Sequence, residues 1–330
     1  MFIGKMMNNE IIKKLFERYN EPVIPRASIE KWLGRFDERD LPAALKLLDQ
    51  IEFHSQPRLV RETKALHARV SKRLDAGGFD AARLSDVDFS REFTCKSGDI
   101  VSYLYRKSNL IPTVDFKTFD WLSAQTAAYP SWFKDRALVI LDDYIGTGSQ
   151  FIFQFIGRSE DDIRVINCFK KVYLASYIVH ETALEKFWML ADGLLEDVIR
   201  VEEKQFPDVD LDGEKDDLRK ALSLLDWRNI ELVYLDVDYP ILSGANHSLS
   251  RDEKKSIEKL LEASSHEGYS GTSFLQGHHT FFYGAPNSLP EILWPLFKRV
   301  EDLSVYTRGT EKLIEQTGEV ISYNIDQETS

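Results

Sequence analysis

Cysteine is scarce: Cys95 and Cys168 are the only two in 330 residues. So small and so widely spaced a set builds neither a disulfide framework nor a metal-ligand spacing. Long apolar runs are missing too. No stretch approaches the roughly 20 residues that cross a bilayer as a helix, and the opening MFIGKMMNNE lacks the apolar core of a secretory leader. These absences point to a reducing, cytoplasmic setting without a membrane partner. Positive charge is in deficit, with 42 Lys and Arg against 54 Asp and Glu, a net charge of −12. That balance argues against direct nucleic-acid binding by the chain alone, which takes many phosphate contacts from Lys and Arg. It leaves room for a local pocket that takes a small phosphorylated ligand. Also missing are a Gly-x-Ser-x-Gly elbow, a lysine-bearing Walker loop and a His-Glu-x-x-His pair.

What is present is a chain with 43% apolar and 12% aromatic residues, enough for a sizeable core. The first part has helical periodicity. Ile29, Trp32, Leu33 and Phe36, then Leu41, Leu45, Leu48 and Ile51, fall on helical faces, with Ser28 as an N-cap. A second helix is expected over about 57–74, ahead of the turn DAGGFD. From about residue 85 the texture alternates. SREFTC, RALVIL, KKVYLASYIV, EDVIRVEE, NIELVYLDV and TFFYG read as strands. DIVSYLYRKSNL, FKTFDWLSAQ, SQFIFQFIG, HETALEKFWMLADG and DEKKSIEKLLEASS read as helices. Strand and helix in alternation imply a parallel sheet with covering helices. The expected organisation is a helical N-terminal subdomain over 1–84 packed on an α/β domain over 85–330 that carries C-terminal additions.

One stretch carries the chemistry: ALVILDDYIGTGSQFIFQFI, residues 137–156. An apolar strand runs into Asp142 and Asp143, then into a glycine-rich turn, and a helix begins near Ser149. Ligands of open α/β sheets bind beyond the carboxyl ends of the strands. Glycines let the backbone approach a ligand closely, and a helix start offers unpaired N–H groups that suit a phosphate. Carboxylates beside such a cradle accept hydrogen bonds from vicinal hydroxyls. The combination describes a sugar phosphate, and ribose 5-phosphate fits it.

The stretch closely resembles the ribose-phosphate loop of phosphoribosyltransferases. SIEKWLGRFD…ALKLLDQIEFHS, CKSGDIVSYLYRKSN, ILDDYIGTGSQ and PNSLPEILWPLF follow in that order, from about 28 to 297. On that order the chain resembles the phosphoribosyltransferase-like family of bacterial conflict systems, found beside retrons and other antiphage modules. The resemblance implies a type I phosphoribosyltransferase sheet and a ligand such as phosphoribosyl pyrophosphate. By resemblance Asp142 and Asp143 hold the ribose and are the catalytic pair. Gly146, Thr147, Gly148, Ser149 and Gln150 take the 5-phosphate, and Mg²⁺ is held mainly through the ligand. Gln150 departs from the Thr or Ser usual there. The resemblance also implies an antiphage effector held in check by partners, such as a reverse transcriptase with its RNA and DNA, or a DNA-binding protein.

Further candidates lie in two other turns. Lys96, Ser97 and Gly98 stand where such enzymes keep a pyrophosphate loop, and Arg106 follows in the next helix. The other reading is a solvated turn, and basic residues set against a helix end. Asn287 and Trp294 would read a base or acceptor; the other reading is a capped helix with a core Trp. His54, His180, His278 and His279 are expected to be scaffold, because adjacent residues on a strand face opposite ways and no carboxylate partner for the pair is evident. Two functions stay open: an enzyme acting at C1 of a ribosyl phosphate, and a non-catalytic sensor of a nucleotide or sugar phosphate within a defence complex. A structural subunit with a relic pocket is a third.

Overall fold

A computed structural model describes residue 13 and residues 26–80, 87–91, 98–112, 115–149, 151, 160–205, 215–244, 248–264, 277–281, 290, 293 and 296. Its centre is a five-stranded, all-parallel sheet in the order β3-β2-β4-β5-β6. The strands are β2 (Val87–Arg91), β3 (Phe116–Lys117), β4 (Ala137–Ile145), β5 (Lys171–His180) and β6 (Ile230–Asp238). β4 and β5 are almost wholly buried, which is why they read as continuous apolar runs. The α/β class with a mainly parallel sheet is therefore as expected from the alternation.

Two cores flank the sheet. Val139 and Leu141 of β4 and Tyr173 and Ala175 of β5 pack beneath α3 (Gln56–Ala76) and α4 (Gly98–Ser108), through Leu59, Leu66, Val70, Val101 and Tyr105. On the other face Leu138, Ile140, Val172 and Leu174 meet α5 (Phe119–Ala128), α6 (Glu160–Cys168), α7 (Glu181–Ala191), α8 (Leu195–Gln205) and α9 (Lys215–Leu224). α3 begins at Ser55, whose hydroxyl accepts from the Arg58 amide.

A third core joins the first described helices to elements late in the chain. α1 (Arg26–Leu33) and α2 (Leu41–Asp49) pack through Trp32, Leu45 and Leu48 against Ile257 and Leu260 of α10 (Arg251–Ser264). A two-stranded parallel ladder, β1 (Glu52–His54) with β7 (His279–Phe281), ties the same regions together. Residues 26–76 are thus mainly helical, and their partners are the sheet and the C-terminal elements.

Three local expectations are corrected. EDVIRVEE lies in helix α8, not in a strand. Its β-branched residues suggest extension, but Leu195, Val198, Ile199 and Glu202 recur at helical spacing, with Leu195 partly buried and the other three buried. Ser28 lies inside α1 rather than at its cap. β4 does not stop before its acids: Asp142 pairs with Ser176, and the ladder runs on to Ile145.

Candidate functional site

The path of the chain sets the location. From β2 it moves outward to β3 through α4, on one face. It then returns to β4 and proceeds to β5 and β6 through helices on the opposite face. The order reverses between β2 and β4, and the carboxyl side of such a reversal is where open parallel sheets hold ligands. The glycine turn after β4, described over 146–149, leaves the sheet on that side, and the chain after β2 is described again from Gly98, the first residue of α4.

Alternation along β4 changes phase at the two acids. Leu141 faces the α3/α4 core and so does Tyr144, while Ile140 and Ile145 share the other core. β5 changes phase beside it, with Tyr177 and Ile178 on one core and Val179 on the other. Adjacent strand residues ordinarily point oppositely; that alternation is interrupted between Leu141 and Tyr144, the stretch that holds the two acids. Each carboxylate also holds the following amide: Asp143 N donates to Asp142 Oδ1 at 2.8 Å, and Tyr144 N to Asp143 Oδ1 at 2.9 Å. Asp143 is buried, 8% exposed, and Asp142 is half-buried.

The glycine turn follows at once. Gly148 has φ +73°, a left-handed conformation that favours glycine, and a Cβ there would lie 3.1 Å from Phe187 Cε2. Thr147 is buried, its hydroxyl accepts from the Ser149 amide at 3.1 Å, and Ser149 is already helical. The Ser149 hydroxyl turns inward. It donates to Glu202 at 2.8 Å and accepts from Lys186 Nζ at 2.9 Å, and the ammonium is 2.7 Å from Glu202 Oε1. Lys186 is 1% exposed and Glu202 0%. Burial pulls the Lys186 ammonium below its usual range, and Glu202 opposes that pull. The loop's helix start is therefore anchored from beneath by an ion pair out of α7 and α8. With the Ser149 hydroxyl so engaged, the loop's contribution to a phosphate rests on its backbone N–H groups. Sequence reasoning did not find this pair. The available signal was a Lys on the buried stripe Ala183–Phe187–Leu190 and a Glu on the stripe Leu195–Val198–Ile199.

The ends of β4, β5 and β6 also gather a polar cluster. His180 and Asp238 are register neighbours. His180 caps α7, its Nδ1 accepting from Thr182 N at 3.2 Å. Tyr144 Oη donates to Asp238 Oδ2 at 2.7 Å, and His278 Nδ1 lies 2.7 Å from Asp238 Oδ1. Asp238 is fully buried, and these donors together with the nearby His279 hold its carboxyl at about 2 despite burial. His54 Nε2 is 2.9 Å from His279 Nδ1, and His54 Nδ1 is 2.8 Å from Glu62 Oε2. Burial holds the His279 imidazole down to about 3, and the Asp238 contact raises His278. The expectation that the pair has no carboxylate partner is thus overturned. His278 precedes β7 rather than lying in it, so strand alternation does not separate the two rings. His54 belongs to the same cluster.

Of the remaining candidates, Gly98 is the first residue of α4 and Arg106 lies in its last turn. Lys96, Ser97, Gln150, Asn287 and Trp294 lie outside the described residues. A separate cleft opens at the amino end of the sheet, between Arg73, Phe79, Lys170, Lys171, Tyr173 and Glu231. No helix among the described residues is long and apolar enough to cross a membrane.

No curated protein and no solved structure matches the chain. One family model does, over residues 29–296, which takes in all three cores, the strand with its paired acids and the glycine turn. By that match the chain belongs to the PRTase-CE family, of phosphoribosyltransferase-like proteins.

Proposed function

We propose that the chain binds a ribose 5-phosphate ligand, such as phosphoribosyl pyrophosphate, at the end of β4, and that it acts at C1 of the ribose. The observation that carries this reading is the left-handed Gly148 between the acids, Asp143 buried and Asp142 half-buried, and an anchored helix start. Backbone N–H donors of such a turn suit a phosphate, and the neighbouring carboxylates suit ribose hydroxyls. In the reaction, the bond from C1 to the pyrophosphate oxygen breaks, and its electron pair leaves with pyrophosphate. A lone pair of an acceptor or of water forms the new bond to C1, and the proton that group sheds passes to solvent. Positive charge builds on the ring between the two events, and a carboxylate of Asp142 or Asp143 stabilises it.

The oxygen donors of Asp142 and Asp143 are of the hard type Mg²⁺ takes. When bound, the ion neutralises charge on the departing pyrophosphate, and it is held mainly through the ligand. Lys96, Ser97, Gly98 and Arg106 serve the pyrophosphate side in this reading, and Asn287 and Trp294 the acceptor side. The resemblance to antiphage modules supports a role as a defence effector whose activity partner proteins restrain.

The test is calorimetry with phosphoribosyl pyrophosphate and Mg²⁺. Wild type gives a saturable single site; Asp142→Asn with Asp143→Asn, still folded by circular dichroism, gives none. Equal binding by both proteins refutes the site. A second reading, a sensor without turnover, rests on the Ser149 hydroxyl being committed to the Lys186–Glu202 pair rather than to a ligand. Stoichiometric binding without release of pyrophosphate in the presence of a nucleotide pool selects the sensor.

A further inference from the structure

We infer that Asp238, His278 and His279 form a binding site for a divalent first-row transition ion of the zinc or cobalt kind, supported from behind by His54 and Glu62. One donor atom from each of the three lies within 4.8 Å of the others. They come from the end of β6 and the entry to β7, two places about 40 residues apart in sequence that the fold brings together.

The direction of the hydrogen bonds makes the case. Arg58 Nε donates to Glu62 Oε1 at 2.7 Å, so Glu62 is an ionised acceptor. Its other oxygen faces His54 Nδ1 at 2.8 Å, which places the His54 proton on Nδ1. In the tautomer whose single proton is on Nδ1, His54 offers a lone pair at Nε2, and His279 Nδ1, 2.9 Å away, donates to it. That leaves His279 Nε2 with a lone pair, aimed at Asp238 Oδ1 across 4.0 Å. Two buried acceptors face one another, 1% and 0% exposed. A cation with bonds of about 2.0–2.2 Å to imidazole nitrogen and carboxylate oxygen spans such a gap. Tyr144 holds Asp238 Oδ2, while Oδ1 is the oxygen that faces both histidines. His278 completes the set. The ion replaces the proton now shared between its Nδ1 and Asp238 Oδ1, and that proton leaves to solvent on the partly exposed side of His278.

Two imidazoles and one carboxylate select a borderline transition ion over Mg²⁺ or Ca²⁺, which prefer oxygen. Three protein ligands leave a position for water or a ligand oxygen. The chain Glu62–His54–His279 has the form of the outer hydrogen bonds that orient metal-bound histidines. Glu52, His54 and His279 also lie within reach of one another. There, however, Glu52 already receives the Arg58 guanidinium at 2.9 Å, which disfavours a second cation.

The experiment uses the full chain, stripped with a chelator and titrated with Co²⁺ and then Zn²⁺, with no phosphoribosyl ligand present. The expected result is one equivalent of Co²⁺ per chain with the visible absorption of a nitrogen- and oxygen-ligated site, bleached by Zn²⁺. Asp238→Asn and His278→Ala abolish uptake, and His54→Gln weakens it about 10- to 100-fold. Absence of saturable uptake by folded wild-type chain overturns the inference, whether or not the variants fold. Uptake that survives Asp238→Asn and His278→Ala but is lost in Glu52→Gln also overturns it, by placing the ion on the other trio.

Discussion

The Lys186 ammonium lies 2.9 Å from the Ser149 hydroxyl, and both groups are buried beneath the glycine turn. Glu202 completes the contact at 2.7 Å. Removing one partner strands a buried charge. Lys186→Met should therefore destabilise the fold by about 3–5 kcal/mol in urea unfolding. The double change Lys186→Met with Glu202→Leu should recover most of that loss, because both charges go together. A double variant as unstable as the single one would mean the pair is not coupled in this way.

Gly148→Ala tests the turn itself. A left-handed alanine costs about 1–2 kcal/mol, and its Cβ would press on Phe187 at 3.1 Å. Denaturant midpoints should fall accordingly, and affinity for phosphoribosyl pyrophosphate should fall further than the stability loss predicts, since the amides are displaced. A substitution neutral in both measurements would show that the loop has another conformation.

Much of this was legible because it is contiguous. ALVIL, the paired acids and the glycine turn lie within one run of residues, and local chemistry explains each. The long helix at 56–76 follows its own apolar period. What escaped depends on distant contacts. Lys186 and Glu202 lie 37 and 53 residues from Ser149, and each alone reads as a solvated charge. Val198, Ile199 and Val201 have the branching of a strand, yet the spacing of Val198, Ile199 and Glu202 buries one side of a helix. His278 and His279 were separated by a rule for strands that His278, one residue short of β7, does not obey. The carboxylate they share, Asp238, comes from β6, forty residues earlier.

Tyr144→Phe removes one donor from the buried Asp238. A buried carboxylate oxygen left without its partner costs about 1–3 kcal/mol. Tyr173→Phe is the comparison: its hydroxyl donates to the Arg73 carbonyl at the rim of the amino-end cleft and should matter less. Equal losses in thermal unfolding would argue that the Tyr144–Asp238 contact is not formed.

The start of α10 gives a pH test. Glu253 accepts from the Ser250 amide at 2.8 Å and from Lys46 of α2 at 3.0 Å, and the Ser250 amide, then Lys46, hold its carboxyl down to about 2. The folded value lies below the ordinary 4.5, so the contribution is full above 4.5 and disappears as the pH falls towards 2. Because the side chain is partly exposed, its worth is modest, about 0.5 kcal/mol. Wild type should exceed Glu253→Gln in stability near neutrality, and the gap should close in acid. A gap that widens on acidification would contradict the capping geometry.

The most direct measurement is a crystal structure of the full chain with ribose 5-phosphate. The phosphate should rest on the amides of Thr147 and Gly148, with ribose hydroxyls on Asp142 and Asp143. A sugar phosphate seated instead among Arg73, Lys170 and Lys171 at the amino end of the sheet, or density empty above β4 at saturating ligand, would contradict the account.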